Sequence, residues 1–333
     1  MCFDLKKLYL STKCHNLHIF QPIAFSTMKL FCFVFAFFCL ISNVNAQFNE
    51  SFLFNADSYS FPYNLKKADI KYNLPDRLIE VSGLDYLREN ILTLIQDEKG
   101  NVYFFDTEKG EVVKKTDFAK DGDYEGIEVV GDEIWTLKSN GTLFRLKHPE
   151  KEKDLKTKQY KTNLNRKNNT EGLAYDEENN RLLIACKGAP YIDSKGGEGI
   201  RAIYSFDLEK KELSEKPVFE IDIEKIKEAR RLNLIARLGI KLLKLFDPAK
   251  GDITFQPSGI AIHPGTGNMY ILAATGKLLL VCDRSGDFLT IIKLNSGLFN
   301  QPEGICFDPA GNLYISNEGD EFKATLLKFE PKN

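Results

Sequence analysis

A short phrase returns five times along the chain and constrains its fold more than any other feature. In each copy an acidic residue or a serine precedes glycine and a branched aliphatic residue. The copies are Ser82-Gly83-Leu84, Glu125-Gly126-Ile127, Glu171-Gly172-Leu173, Ser258-Gly259-Ile260 and Glu303-Gly304-Ile305. Their glycines are 43, 46, 87 and 45 residues apart. Because a repeat of about 40 to 50 residues is typical of a four-stranded propeller blade, the chain is predicted to be all-β.

The 87-residue spacing between Gly172 and Gly259 is the exception. One full set of strand signals follows the first of these glycines, over Gly172–Asp176, Arg181–Cys186, Ala202–Leu208 and Pro217–Ile221. Two stretches then remain, the glycine-rich Gly188–Gly199 and Asp222–Lys250, and together they account for the excess length. The second reads IEKIKEARRLNLIARLGIKLLKLF, a composition typical of a helix. We therefore predict a helical insertion at about 222–250 rather than a hidden blade.

The blades must close into a ring, because the first and last sheets would otherwise keep unpaired edges. Only three strand-like stretches follow the last motif, namely Gly304–Phe307, Leu313–Ser316 and Ala324–Phe329. Ala68–Leu74 resembles an outer strand but has no blade upstream, so it would complete the final sheet. We predict a five-bladed β-propeller over 68–333, closed by this N-terminal strand and preceded by a lead-in over 47–67. Six blades is the alternative.

The first 46 residues do not belong to this fold. Leu30–Ile41 is an unbroken run of twelve apolar residues, with Met28-Lys29 before it and Val44-Asn45-Ala46 after it. A charged start, a short apolar core and a small-residue cleavage site are typical of a secretory signal peptide. We predict a leader over 1–46, with Met28 as the candidate start of translation, and export to the periplasm or cell envelope. A retained membrane anchor is the alternative.

The residues beyond the leader disfavour several classes of site. Cys186, Cys282 and Cys306 lie in apolar strand-like runs, and their odd number argues against a disulfide framework. Neither His148 nor His263 has a zinc-ligand neighbour at the usual spacing. The sequence contains no G-x-S-x-G elbow, P-loop or dinucleotide-binding motif. Basic residues number 45 and acidic residues 47, so we expect no nucleic-acid partner.

The repeated motif is the best candidate for a site. The first strand of each propeller blade lines the central channel, so residues at the strand entrances converge on one mouth. Glu125, Glu171 and Glu303 would meet there, beside Ser82 and Ser258. Carboxylates at close range need a cation or raised pKa values, and Ca²⁺ prefers oxygen ligands. We predict that the three glutamates bind a divalent ion, with Ca²⁺ as the candidate. Alternatively, each accepts backbone N–H groups at a blade-to-blade turn.

The second strands contribute further candidates to the same mouth. Lys138, Lys187 and Glu318 end the stretches WTLK, IACK and ISNE, which occupy similar places in three repeats. Lysines among glutamates either neutralise them or bind an anionic ligand. With the two motif serines, these three residues form the predicted ligand-binding set. A small anionic ligand or a protein is the expected partner, and no catalytic residue is assigned.

The helical insertion is a second point of interest. Ile223–Phe246 contains the acids Glu224 and Glu228 and is otherwise rich in basic residues, which are Lys225, Lys227, Arg230, Arg231, Arg237, Lys241 and Lys244. Its apolar stripe consists of Ile226, Leu234, Ile235, Leu238 and Leu242. Either this helix packs on one face of the propeller, or it lies on an anionic membrane surface.

Four stretches together resemble the SdiA-regulated, YjiK-like family of bacterial propellers, which has NHL-like repeats. They are Glu171–Gly188, Ile203–Asp222, Pro257–Leu272 and Pro302–Asp320. The resemblance covers most of residues 68–330. It implies an exported or inner-membrane-associated bacterial protein with a five-bladed propeller and a metal or ligand site at the mouth. Serine at two of the five motif positions departs from a symmetric ring of carboxylates.

Two classes of function remain open on this evidence. The first is a non-catalytic binding propeller whose mouth recognises a small ligand or a partner. The second is a calcium-assisted hydrolase that acts on a phosphate or other ester. A hydrolase needs a base or a metal-bound water beside the ion. The sequence offers no dedicated base beyond the same glutamates, so binding is favoured.

Overall fold

The computed structural model describes residues 52–238, 254–319 and 322–332, and within these ranges the chain is a propeller of five sheets. The leader, 1–46, lies outside them. In chain order the strands are β1 (Phe52–Asn55), β2 (Ile70–Asn73), β3 (Val81–Arg88), β4 (Ile91–Gln96), β5 (Asn101–Asp106), β6 (Glu111–Asp117), β7 (Tyr124–Val130), β8 (Glu133–Lys138), β9 (Leu143–Lys147), β10 (Lys156–Tyr160), β11 (Thr170–Asp176), β12 (Arg181–Cys186), β13 (Ile200–Asp207), β14 (Glu212–Leu213), β15 (Phe219–Asp222), β16 (Gln256–Ile262), β17 (Met269–Thr275), β18 (Leu278–Cys282), β19 (Phe288–Lys293), β20 (Pro302–Phe307), β21 (Leu313–Asn317) and β22 (Thr325–Phe329).

Each sheet is one blade, and each repeated motif lies on the inner strand of its blade. Blade I contains β3 to β6, blade II β7 to β10, and blade III β11 to β13 with β14 and β15 both paired to β13. Blade IV contains β16 to β19 with β1 at its outer edge, and blade V contains β20 to β22 with β2. The five-bladed prediction is confirmed, and the alternative of six blades is not.

The N-terminal strand closes the ring as predicted. β2 runs antiparallel to β22, with Ile70 opposite Lys328 and Asn73 opposite Thr325. The backbone N–H of Leu74 donates to the carbonyl of Ala324 at 2.8 Å and extends this pairing. Blade V therefore combines β2, from the N-terminal part of the described chain, with the last three strands, and the edge of β22 is paired.

The burial of the strands explains why the sequence reads as blades. β4, with the sequence ILTLIQ, is buried along its whole length, because neighbouring sheets cover both of its faces. β6 lies at the outer edge of the same blade, and its residues alternate between exposed and half-buried except for the buried Thr116. Hydrophobic residues therefore concentrate toward the ring centre, where the sheets pack face to face.

The motif glycines let the inner strands approach one another closely. These strands contact each other in the order β3, β7, β11, β16, β20 and back to β3. A Cβ atom placed on Gly304 would lie 2.5 Å from Cδ2 of Leu84, and one on Gly172 would lie 2.9 Å from Cγ2 of Ile260. Those distances are shorter than a van der Waals contact, so glycine is required by the packing of the ring.

Blade III contains the predicted insertions. The loop between β12 and β13 spans the glycine-rich stretch, and helix α1 (Ile223–Leu238) follows β15 directly. Ile223 and Ile226 are buried in the core between blades III and IV, whereas Leu232 is 52% exposed. The first turns of α1 therefore pack on the propeller. The side chains after Leu232 on α1, and residues 239–250 of the predicted insertion, lie outside the described part.

The lead-in adds a strand that the sequence analysis does not predict. β1 pairs with β19, with Phe52 opposite Ile292, and makes blade IV five-stranded. Between β1 and β2, the hydroxyl of Tyr63 donates to the carbonyl of Gly311 at 2.6 Å, beneath blades IV and V. Phe61, Tyr63 and Leu65 are buried in the core that blades IV and V share, so the lead-in is part of the propeller fold.

Cys186, Cys282 and Cys306 are buried and free, as expected for small apolar core residues. Within the described ranges, no helix has both the length and the apolar character needed to cross a bilayer.

Candidate functional site

A β-bulge interrupts every inner strand at the motif position. In β11 the ladder passes from Thr170 to Gly172, so Glu171 has no cross-strand partner. The same interruption falls at Ser82, Glu125 and Ser258, and in β20 the ladder skips both Glu303 and Gly304. A bulge re-aims the side chain that it releases from the ladder. The motif residues of all five blades accordingly line one small cavity at the ring centre, the channel mouth.

The two motif serines connect neighbouring blades. The hydroxyl of Ser82 donates to the carbonyl of Tyr124 at 2.7 Å, and that of Ser258 donates to the carbonyl of Pro302 at 2.8 Å. Ser258 also accepts a hydrogen bond from the N–H of Ala274 at 3.2 Å. Because these hydroxyls are buried and already hydrogen-bonded, they act as links between blades in this structure.

The three motif glutamates share one electrostatic environment. Burial raises the pKa of Glu125 to about 10, and the charges of Glu171, Asp123 and Glu303 add to the rise. Burial likewise raises the pKa of Glu303 to about 8, again with a contribution from Glu171. The ring therefore brings residues from blades II, III and V within electrostatic reach of one another.

Glu171 differs from the other two because it has a cationic partner. Nζ of Lys187 lies 3.0 Å from its Oε1, and Nδ2 of Asn169 donates to the same oxygen at 2.9 Å. Burial still raises the pKa of Glu171, although Lys187 opposes this effect. Burial by itself lowers the pKa of Lys187, but the charges of the three glutamates outweigh it and raise that pKa.

Lys138 occupies a different place from Lys187. In the ladder Lys138 stands opposite Tyr124, whereas Lys187 comes one residue after the end of β12. The ammonium of Lys138 lies 4.7 Å from the centre of the Tyr124 ring. Ser139 takes the place equivalent to Lys187 and donates to the carboxylate of Asp123. The equivalence drawn from the sequence for Lys138 is therefore out of register by one residue.

Two further acids, Asp97 and Glu318, add negative charge near the mouth. Asp97 and Glu318 follow β4 and β21 as Lys187 follows β12. Burial raises the pKa of Asp97 to about 7, and the charges of Glu80 and Glu318 add to the rise. Oδ1 of Asp97 is buried and has no hydrogen-bond partner. Glu318 is predicted from the sequence and Asp97 is not, although Asp97 ends the stretch LIQD just as Glu318 ends ISNE.

Two more acids, Asp85 and Glu128, lie on the inner strands β3 and β7. Asp85 and Glu128 each come three residues after the motif position of their strands, where the other blades have Ala174, Ala261 and Cys306. Oδ2 of Asp85 accepts the N–H of Val129 at 2.7 Å, and Oε1 of Glu128 accepts the N–H of Tyr175 at 2.8 Å. Burial raises both pKa values, that of Asp85 to about 7. These carboxyls thus join successive blades.

The mouth fits a hard cation by its donor chemistry but not by its present arrangement. Carboxylate oxygens are the ligands that Ca²⁺ prefers. Among the residues that the structure describes, no three His, Cys, Asp or Glu side chains are placed as metal ligands. Glu171 is already paired with Lys187. Coordination by Glu125, Glu171 and Glu303 together would therefore require their side chains to rearrange.

The sequence matches one family model over most of its length. Residues 64–231 and 246–324, which include all five motifs, match the family described as SdiA-regulated. No curated protein matches the chain.

Several solved structures are similar at low sequence identity. Streptogramin B lyase is 10% identical with a TM-score of 0.44, and the alignment covers 78% of this chain and 97% of that one. Glutaminyl cyclase from Myxococcus xanthus is 12% identical with a TM-score of 0.48, over 80% and 96% of the two chains. A luciferin-regenerating enzyme is 11% identical with a TM-score of 0.42, over 82% and 96%. Similarity at this level carries no argument about activity.

Proposed function

The chain belongs to the SdiA-regulated family, and from this premise we propose that it is a non-catalytic binding propeller whose channel mouth holds a ligand. Glu125, Glu171 and Glu303 are the residues proposed to contact the ligand first. Lys187 is proposed to orient any anionic group that the ligand carries. The proposal rests on the charges of the mouth and on the bulges that aim the motif side chains.

The observation that carries this proposal is the charge imbalance at the mouth. Lys187 pairs with Glu171 but leaves Glu125 and Glu303 without an ion pair within the described part of the chain. Their raised pKa values measure the free-energy cost of ionising carboxyls that are crowded and partly removed from water. A ligand with a positive charge would remove that cost. The mouth therefore favours cations.

We propose Ca²⁺ as the first cation to test. The three motif glutamates offer carboxylate oxygens, the ligands that Ca²⁺ prefers, and Oδ1 of Asp97 is a further carboxylate oxygen that is buried without a hydrogen-bond partner. Because the pKa of Glu303 is about 8, the ion must displace a proton at neutral pH. Calcium affinity should therefore increase as the pH rises from 6 to about 9.

Calorimetry of the purified protein, stripped of metal with a chelator, tests this proposal. We expect one calcium site, and stabilisation of about 2.7 kcal/mol at a hundredfold excess over Kd. Glu125→Gln and Glu303→Gln should each weaken calcium binding at least about tenfold. Glu177→Gln is the matched control, because Glu177 is an exposed acid in the turn that follows β11. Absence of both calcium heat and thermal stabilisation at pH 6 and pH 9 would rule out this ion.

A calcium-assisted phosphoesterase or esterase is the second candidate. One observation favours it, namely that the pKa values of Asp97 and Glu303 lie at about 7 and about 8. A carboxyl group with a pKa near neutrality is suited to accept or donate a proton during hydrolysis. Turnover of p-nitrophenyl phosphate or acetate that requires calcium and is lost in Glu303→Gln would support this function. No turnover above the buffer rate would leave the binding function alone.

Export is proposed from the leader sequence alone. Cleavage after Ala46 would make Gln47 the first residue of the mature protein. The mass of the protein isolated from its native envelope tests this proposal. A chain that keeps Leu30–Ile41 would instead be anchored in the membrane.

Contact with an anionic membrane through α1 is a further proposal. Lys225 and Arg231 are exposed on this helix beside Leu232, whereas Lys227 pairs with Glu224 at 2.7 Å. Exposed basic residues next to an apolar side chain favour binding to anionic lipid. Sedimentation with phosphatidylserine vesicles, compared with phosphatidylcholine vesicles, tests it. Equal recovery with both, or an unchanged result in Lys225→Gln/Arg231→Gln, would count against this contact.

A further inference from the structure

A cleft of about 700 Å³ lies between blades I and V, and none of its lining residues lines the channel mouth. It is formed by the end of β3, the turn between β5 and β6, the closing strand β2 and the turn between β20 and β21. Its volume falls within the range of small-molecule sites, about 300–1,000 Å³. The cleft is therefore large enough for a ligand of its own.

Tyrosine side chains form much of the wall, and two of them are fixed by hydrogen bonds. Tyr72, Tyr86 and Tyr314 all line the cleft. The hydroxyl of Tyr72 donates to the carbonyl of Thr107 at 2.9 Å, and that of Tyr314 donates to Oδ2 of Asp308 at 3.3 Å. Tyr314 is only 5% exposed and supports the wall from behind, whereas Tyr72 and Tyr86 are half-buried and present the accessible ring surface. Rings held in this way offer a preorganised surface to a ligand.

The charge of the cleft is negative. Glu89, Glu108 and Asp308 line it, and Lys328 is the one basic residue among the lining residues. Nζ of Lys328 lies 3.2 Å from Oε1 of Glu330, which offsets its charge. Glu89 and Glu108 are exposed, so their carboxylates are accessible to a ligand. Acidic groups beside aromatic rings are the surroundings that bind organic cations.

We propose that this cleft is a second binding site, specific for a small organic cation with ammonium groups on an apolar stem. The tyrosine rings would contact the stem and the adjacent ammonium group, and Glu89 and Glu108 would pair with the charge. Because Tyr72 lies on β2 and Tyr86 lies on β3, such a ligand would bridge the closing blade and blade I. Its binding would stabilise the closed ring.

Calorimetry with spermidine as the probe, and 1,8-octanediol as an uncharged probe with a similar stem, tests this site. We expect spermidine to bind and the diol not to bind. Glu89→Gln/Glu108→Gln should weaken spermidine binding by about 3- to 10-fold, as expected for exposed ion pairs. Tyr86→Leu should weaken it by a similar factor through loss of the ring contact.

Glu209→Gln provides the matched control. The N–H of Glu209 donates to Oδ1 of Asp207 at 2.8 Å, just as the N–H of Glu108 donates to Oδ1 of Asp106 at 3.0 Å. Both glutamates thus occupy the same place in equivalent turns. Glu209 follows β13 in blade III and does not line the cleft. An equal effect of this control, or spermidine binding only above about 10 mM, would overturn the proposal.

Glu303→Gln separates this site from the channel mouth. The variant should leave spermidine binding unchanged while it weakens calcium binding. If Glu303→Gln alone removes spermidine binding, the organic cation binds at the mouth and the cleft proposal is wrong. Loss of calcium binding with unchanged spermidine binding would support both sites.

Discussion

Nζ of Lys187 lies 3.0 Å from Oε1 of Glu171, and this ion pair neutralises one of the three glutamates that the ring brings to the channel mouth. Both side chains come from blade III, one from the bulge in β11 and the other from the residue after β12. The charges of Glu125 and Glu303 also raise the pKa of Lys187. A single ammonium thus acts on carboxylates from three blades.

Removal of this ammonium should destabilise the protein at alkaline pH. Lys187→Met leaves the buried carboxylate of Glu171 without its cation, so we expect a loss of about 2 kcal/mol at pH 8. The loss should be smaller at pH 5, where raised pKa values leave the neighbouring carboxyls protonated. Urea unfolding at the two pH values measures the difference. Lys138→Met is the control, and an equal pH-dependent loss in it would contradict this role of Lys187.

The carboxyls at the mouth should also make the free energy of unfolding depend on pH. The pKa of Glu303 rises from an ordinary value of 4.5 to about 8 in the folded state, so the folded protein binds this proton more tightly. The stabilisation that the protonated Glu303 carboxyl contributes is therefore fully present below pH 4.5 and is lost as the pH rises toward 8. Glu125, with its pKa raised to about 10, extends this pH-dependent loss of stability to higher pH. In the presence of a chelator, Glu303→Gln should reduce the decline between pH 5 and pH 9 by up to about 4 kcal/mol.

Urea unfolding of the wild type and Glu303→Gln across this pH range measures that decline. Glu177→Gln, which changes an exposed acid outside the mouth, should follow the wild-type curve. Parallel curves for the wild type and Glu303→Gln would show that Glu303 ionises as easily in the folded protein as in the unfolded chain.

The motif glycines should be intolerant of a side chain. In Gly304→Ala the new Cβ would lie 2.5 Å from Cδ2 of Leu84 and 2.7 Å from Oγ of Ser316, so one inner strand must move. We expect a loss of about 1–3 kcal/mol in the free energy of unfolding. Gly265→Ala is the control, because its Cβ would meet nothing closer than 3.4 Å from the ring of His263. Thermal unfolding of both variants measures these losses. A smaller loss of stability in Gly304→Ala than in Gly265→Ala would contradict the packing role of Gly304.

The sequence predicts the blades well because strand signals and motif spacing are local properties. Arg181–Cys186 is both the predicted and the observed β12, and the helical insertion begins at Ile223, one residue after the predicted start. The closing strand is predictable for a different reason. The last blade lacks one strand, and Ala68–Leu74, which has no blade of its own, supplies it from the N-terminal side of the propeller domain.

The side-chain arrangement of the mouth is less predictable because it depends on pairing register. Lys138 and Lys187 look equivalent in the sequence, but the bulges and strand ends place Lys138 over Tyr124. The motif also does not reveal which of its side chains can bind a ligand. The hydroxyls of Ser82 and Ser258 donate to carbonyls of the neighbouring blade, whereas the motif glutamates make no such hydrogen bond to a neighbouring blade in the described part of the chain.

The sequence does not predict Asp85 and Glu128 as linking residues, because their position is not periodic. Only two of the five repeats have an acid at this position, so it does not stand out as a periodic feature. Each carboxyl accepts a backbone N–H from the next blade, an interaction that appears only when the inner strands are packed side by side. The two acids can be read from the sequence, but their contacts can be inferred only when the arrangement of the blades in the ring is known.

The closing strand should contribute strongly to stability. A chain that begins at residue 75 lacks both β1 and β2, so it exposes the edge of β22 and the core face that Tyr72 and Leu74 cover. We expect a loss of several kcal/mol, on the order of 25 cal/mol for each Å² of apolar surface exposed. A chain that begins at residue 58 is the matched control, because it lacks β1 but keeps β2. Thermal and urea unfolding should show a clearly smaller loss for the control. If both truncated chains unfold at the wild-type midpoint, the ring does not depend on its N-terminal strand.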